Sequence, residues 1–131
     1  MTVALARLGQ VAFPTSDVER SEVFYGTALG LRKMYRYGDL TFFDCAGVRL
    51  LLEKVHDPAT LVPKGILYFA VADIALARKD LASRGVKFND EIHLIARMPD
   101  HDLWMTFFDD PDGNGLALMM EAPKGYQPPR D

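Results

Sequence analysis

Short apolar runs, punctuated by Gly, Pro, Asp and Asn, dominate this chain, and two stretches carry helical spacing instead. Leu8–Thr15 is rich in apolar residues and closes on Pro14, which reads as a strand with a constrained exit. Ser16-Asp17-Val18-Glu19 has the form of a capping box, with a Ser oxygen and a Glu carboxylate available to the free amides of a helix start. Val18, Tyr25 and Leu29 recur at helical spacing, Phe24 and Ala28 widen the stripe, and Gly30 is placed to end the helix in the left-handed conformation. Three strands are predicted next, Leu31–Tyr37, Leu40–Cys45 and Val48–Val55, with turns at Gly38-Asp39 and Ala46-Gly47. His56–Lys64, with Pro58 and Pro63, is a connector.

The second half repeats this plan. Ile66–Ala72 reads as a strand, Asp73 as an N-cap, and Ile74, Ala77 and Leu81 as one helical face closed by Gly85. Strands follow near Val86–Asn89, Glu91–Arg97, Leu103–Asp109 and Leu116–Glu121. An offset of about 56 residues relates Asp17 to Asp73, and Gly30 falls opposite Gly85, the mark of an internal duplication. The expected class is therefore α+β, with two tandem βαβββ modules, about 7–56 and 65–122, and a proline-rich tail over 123–131. Modules this small are expected to share one core in a single domain spanning 1–131.

The last two strands flank Asp110-Pro111-Asp112-Gly113-Asn114-Gly115, whose Pro, Asp, Gly and Asn suit a tight turn. The same residues, with Glu121, match the calcium-loop pattern position for position. That rival reading needs a helix on each side. The aromatic run Leu103–Phe108 favours strand, and Pro123, Gly125, Pro128 and Pro129 oppose an exit helix.

Composition narrows the class. With 49% hydrophobic and 25% charged residues in 131, the chain reads as one globular domain. A net charge of −3 supplies no basic footprint for nucleic acid. No apolar run approaches the roughly 20 residues that span a bilayer, so no membrane partner is expected. The single Cys45 excludes an internal disulfide, and no signal sequence is visible after Met1, so a cytoplasmic location is expected. Cys45 itself reads as a small buried hydrophobe.

The order of elements, together with Asp17…Phe24-Tyr25…Leu29-Gly30-Leu31, Phe42–Leu50, Leu67–Asp73 and Asp110–Asn114, resembles the vicinal oxygen chelate superfamily over about Leu8–Glu121. That group holds glyoxalases, extradiol dioxygenases, epimerases, and fosfomycin- and bleomycin-resistance proteins. The resemblance implies modules whose strands curve into a U-shaped, partly open, eight-stranded barrel-like sheet around a ligand site, often in a homodimer. It also implies a divalent metal (Zn, Ni, Mn or Fe) held by His, Gln or Glu at four strand positions, where it stabilises an oxyanion or enolate-like state.

Carried over by motif, Gln10 takes the first position and Glu53 falls near the second, but the third falls at Ile66 and the fourth at Ala117. Neither Ile nor Ala coordinates a metal, so no cofactor is assigned with certainty. Glu121 shares a strand face with Ala117 but lies about 13 Å along it, at roughly 3.3 Å per residue. His93 is an alternative nitrogen donor. Glu53 is also the candidate general acid or base, because a pocket carboxylate is tuned by burial. Arg49 could meet an anionic substrate, His101 sits in a polar loop over a pocket mouth, and Trp104 could line a cavity and donate its indole N–H.

Three readings compete. In the first, the protein binds a small organic molecule through an aromatic supply of Phe42, Phe43, Trp104, Phe107 and Phe108, with a degenerate metal set. In the second it is a divergent lyase, isomerase or epimerase acting next to a carbonyl, with Glu53 as base. The third is the calcium loop.

Overall fold

The alternation of apolar and polar residues builds two four-stranded sheets, each with one helix against it. The computed structural model describes residues 5–62 and 65–129. They fall into two compact units, divided along the chain after Val62.

In the first unit, β1 (Gln10–Thr15), β2 (Arg32–Tyr37), β3 (Leu40–Cys45) and β4 (Val48–Lys54) form a sheet in the order β1-β4-β3-β2. β1 runs parallel to β4, and the other pairs are antiparallel. The helix α1 (Val18–Glu22) continues as a π-helix over Val23–Ala28 and packs on β3 and β4. Tyr25 and Phe43, both fully buried, fill that contact with Val18, Leu50 and Leu52, their rings 6.1 Å apart. Thr15 and Ser21, also buried, satisfy each other through a 2.7 Å hydroxyl bond.

The second unit repeats the topology with β5 (Ile66–Ala70), β6 (His93–Arg97), β7 (Asp102–Asp109) and β8 (Gly115–Ala122), ordered β5-β8-β7-β6. Its helix α2 (Ile74–Ser83) lies on β7 and β8, burying Ile74 and Leu81. Gly30 (φ 77°) and Gly85 (φ 92°) close the two helices in the left-handed region, as expected for C-terminal caps.

Four local expectations are corrected. Asp17, not Ser16, is the N-cap of α1: its backbone is extended and its carboxylate accepts the Arg20 N–H at 3.1 Å. The π-turn was not legible, since it rests on an amide reaching five residues back, Leu29 N–H to the Phe24 carbonyl at 2.9 Å. Val86–Asn89 is not a strand; it makes one isolated bridge, Phe88 to Phe108, and Asn89 donates its N–H to the Phe107 carbonyl. β1 and β6 each begin two residues later than predicted, at Gln10 and His93.

The Asp110–Gly115 segment is a hairpin turn between β7 and β8, so the helices a calcium loop requires are strands here. Asp110 Oδ1 accepts the backbone N–H groups of Asp112 and Asn114, and Oδ2 accepts the Asn114 side-chain amide at 2.8 Å. These oxygens close the turn. The calcium-loop reading is overturned.

The tail is anchored by a buried carboxylate. Asp102, with no exposed side chain, accepts from Lys124 Nζ at 2.9 Å, from the Gly125 N–H at 3.0 Å and from Arg97 at 3.2 Å. The Lys124 and Gly125 hydrogen bonds hold the Asp102 carboxyl below its usual range against the opposing effect of burial. No helix among the described residues is long and apolar enough to cross a membrane.

Candidate functional site

Register and alternation sort each strand residue to the helix side or the opposite side of its sheet. In the first unit Gln10, Arg49 and Asp44 lie in one cross-strand row, then Ala12, Leu51, Phe42 and Tyr35, then Pro14, Glu53, Leu40 and Tyr37. All of these are on the side away from α1. Phe43 and Leu52, one residue out of phase, are buried beneath α1.

A cluster stands at the centre of this face. The rings of Tyr35 and Phe42 stack with centroids 4.6 Å apart. The Arg49 guanidinium lies 5.6 Å from the Phe42 centroid and donates to the Tyr35 hydroxyl at 3.2 Å. Arg49 Nε is buried with no acceptor among the described residues. The arrangement is a flat aromatic surface carrying a fixed cation, with the Gln10 amide beside it in register.

The second unit carries a related row. Tyr68, Ala117 and Phe107 are paired across β5, β8 and β7 on the side away from α2, and the Tyr68 and Phe107 rings meet edge to face at 6.2 Å. Ala117 is fully buried between its strand neighbours, and its small side chain lets the two rings approach. The His93 ring stacks on Phe107 at 6.0 Å, and its Nδ1 lies 2.9 Å from the Glu91 carbonyl.

His101, in the β6–β7 turn, has Nδ1 2.8 Å from Asp100 and Nε2 3.8 Å from Glu121. The His101 hydrogen bond, with its positive charge when protonated, lowers the pKa of Asp100. Glu121 stands on the same face as Ala117 and Met119, opposite Leu103.

The metal-ligand expectation can be tested on this donor set. Gln10 sits opposite Arg49, so Glu53 lies four residues further along β4, about 13 Å away at 3.3 Å per residue. Leu51 occupies the position between them, and the nearest charged neighbour of Gln10 is a cation. Among the described residues no three His, Cys, Asp or Glu side chains are grouped to hold an ion. The residues present do not fit the expected ligand shell.

Other expectations divide. Glu53 is exposed, so the burial invoked to tune it is absent. Phe43, Phe108 and Trp104 point to the helix sides of their sheets, leaving Phe42 and Phe107 as the members of the aromatic supply on the opposite faces. Trp104 does line a cavity, but one beside α2. Tyr35 and Tyr68 went unnoticed in the sequence. The tight turns held the missing signal: Tyr37 pairs with Leu40 across Gly38-Asp39, which puts Tyr35 opposite Phe42.

The sequence matches the Glyoxalase/Bleomycin resistance protein/Dioxygenase superfamily over residues 7–118. No curated protein sequence matches it. Among solved structures, a glyoxalase/bleomycin resistance protein/dioxygenase from Nocardioides is similar at 22% identity and a TM-score of 0.72, covering 99% of this chain and 92% of that one. A member of the same superfamily from Sphaerobacter thermophilus is 25% identical, with a TM-score of 0.72 over 89% of this chain and 98% of its own. A lactoylglutathione lyase from Agrobacterium tumefaciens is 21% identical, with a TM-score of 0.71, over 95% of this chain and all (100%) of that one.

Proposed function

Because this chain belongs to the glyoxalase/bleomycin resistance protein/dioxygenase superfamily, we propose that it serves as a small-molecule-binding member whose ligand rests on the face of the first unit's sheet turned away from α1. The observation that carries the reading is the Arg49–Phe42–Tyr35 cluster: a stacked aromatic pair with a cation fixed against it. Such a surface favours a planar organic molecule bearing an acceptor oxygen or a negative charge, since stacking and the guanidinium act on different parts of the same ligand. Gln10 supplies a neutral donor and acceptor at its edge. The usual metal shell is degenerate in this reading, with Ile66 and Ala117 in place of donors and Arg49 beside Gln10. The 1–131 chain works as one domain, in a homodimer in the cytoplasm.

A panel of aromatic carboxylates and neutral analogues, followed by calorimetry and by thermal shift, tests this. Ligands of the first kind should stabilise the wild type and lose affinity in Arg49→Met. Equal binding to wild type and Arg49→Met would refute the assignment of the site.

A second reading has one observation in its favour. His101, held through Nδ1 by Asp100 with Nε2 directed toward Glu121, has the arrangement of an oriented acid–base group. A divergent lyase, isomerase or epimerase acting next to a carbonyl would use it there, in place of the exposed Glu53. Turnover on 2-oxoaldehyde adducts that disappears in His101→Gln, with ligand binding retained, would establish the enzyme over the binder.

A further inference from the structure

A groove of about 640 Å³ lies in the second unit on the helix side of its sheet. One wall is the α2 surface, where Ala75, Arg78, Lys79 and Ala82 recur at helical spacing. The opposite wall is the tail, Gln127–Pro129, and Glu91, Ile92 and Trp104 complete the lining. The volume is within the range that encloses a small organic molecule.

Two features of this lining call for a ligand oxygen. Trp104 is 8% exposed and its indole Nε1–H is buried with no acceptor among the described residues. Arg78 is held in place, its guanidinium 4.9 Å from the Phe88 centroid and its Nη2 donating to the Asp90 carbonyl at 2.8 Å, yet its Nε is also buried without an acceptor. Buried donors ordinarily find partners, and two lacking them in one lining is uncommon. Lys79 adds a second positive charge, opposed by the exposed carboxylate of Glu91. Ile92, two alanines and the rings of Pro128 and Pro129 make up the apolar part of the lining, and Gln127 adds a neutral polar side chain. The Trp104 and Arg78 nitrogens both lie beneath the groove surface, so a ligand oxygen reaches them by displacing the Gln127–Pro129 wall.

We propose that this groove is a separate binding site for a small organic carboxylate with an apolar body. The carboxylate supplies the acceptors that Trp104 and Arg78 lack, and the body packs on Ile92 and the proline wall. Lys79 draws the anion in, and Glu91 limits its affinity.

Trp104 is the sole tryptophan of the chain, so its emission reports on this groove directly. The test is a fluorescence titration of the full-length protein with 4-phenylbutyrate, compared with the neutral 4-phenylbutanamide. The acid should produce a saturable change, with the amide weaker by roughly tenfold, the size of one lost charged contact. Arg78→Met should weaken the acid to a similar degree, Lys79→Gln less, and Glu91→Gln should strengthen it. Ala82→Phe, which fills the groove from an exposed helix position, should abolish the response with the near-ultraviolet dichroism retained. If Arg78→Met fails to fold, Lys79→Gln and Ala82→Phe still decide the matter. Arg49→Met should leave this titration unchanged, which separates the groove from the sheet-face site. No saturable response, equal responses to acid and amide, or a response that survives Ala82→Phe would overturn the proposal.

Discussion

The contact between Arg49 and Tyr35 is the most direct point at which the sheet-face site can be tested. A single Arg49→Met substitution is a poor probe of stability, because its effects oppose each other. It removes a hydrogen bond of 3.2 Å to the Tyr35 hydroxyl and a cation lying 5.6 Å from the Phe42 ring. The hydrogen bond is long and exposed, worth about 0.5–1 kcal/mol, and an exposed cation–π contact adds about 0.5–1 kcal/mol. Yet the substitution also removes the buried, unpartnered Nε, a liability of about 1–3 kcal/mol. The net change is therefore near zero.

A double-mutant cycle avoids this cancellation. Tyr35→Phe removes the hydroxyl and keeps the ring stacked on Phe42, so the cycle with Arg49→Met isolates the hydrogen bond. Urea denaturation of the four proteins should give a coupling energy of about 0.5–1 kcal/mol, with the single Arg49→Met within about 1 kcal/mol of wild type. A coupling indistinguishable from zero would mean that arginine and tyrosine are not joined in solution. The cluster would then no longer hold a cation in place.

Other predictions concern the packing around the sites. Phe43→Ala, in the fully buried contact with Tyr25, should cost about 3–5 kcal/mol in urea denaturation, since α1 cannot close the cavity without leaving its sheet. Ala117→Glu puts a carboxylate into a fully buried site between Tyr68 and Phe107. The expected outcome is a loss of at least about 1–3 kcal/mol in thermal or chemical denaturation. For Asp102 the folded-state pKa is lowered, chiefly by the Lys124 hydrogen bond. The unfolded chain therefore binds the extra proton first, below about pH 4, and the stability from this group, full above that pH, is lost as pH falls through the folded-state value. The difference in stability between wild type and Asp102→Ala should shrink on acidification across that window, and a constant difference would contradict the pairing. Asp110→Ala should destabilise the hairpin by about 1–3 kcal/mol, because buried donors lose their acceptor, and millimolar calcium should leave the wild-type melting temperature unchanged.

The sequence by itself determined most of the architecture. Apolar periodicity, Asp73 as N-cap and the glycines at 30 and 85 located both helices and the duplicated strand plan, because these signals act over a few residues. The resemblance to the family implied, in addition, donor positions at Ile66 and Ala117, where the chain has none. Side-chain grouping was decided by tertiary structure. Gln10 and Glu53 looked like a pair until the parallel register put Arg49 beside Gln10. Trp104 was expected to line a cavity, but only strand phase decided that it faces α2 and the tail. Register and phase are properties of paired strands, and a shift of one residue moves every side chain to the opposite face. Local pattern therefore identified the strands, and only their pairing decided which of their residues meet.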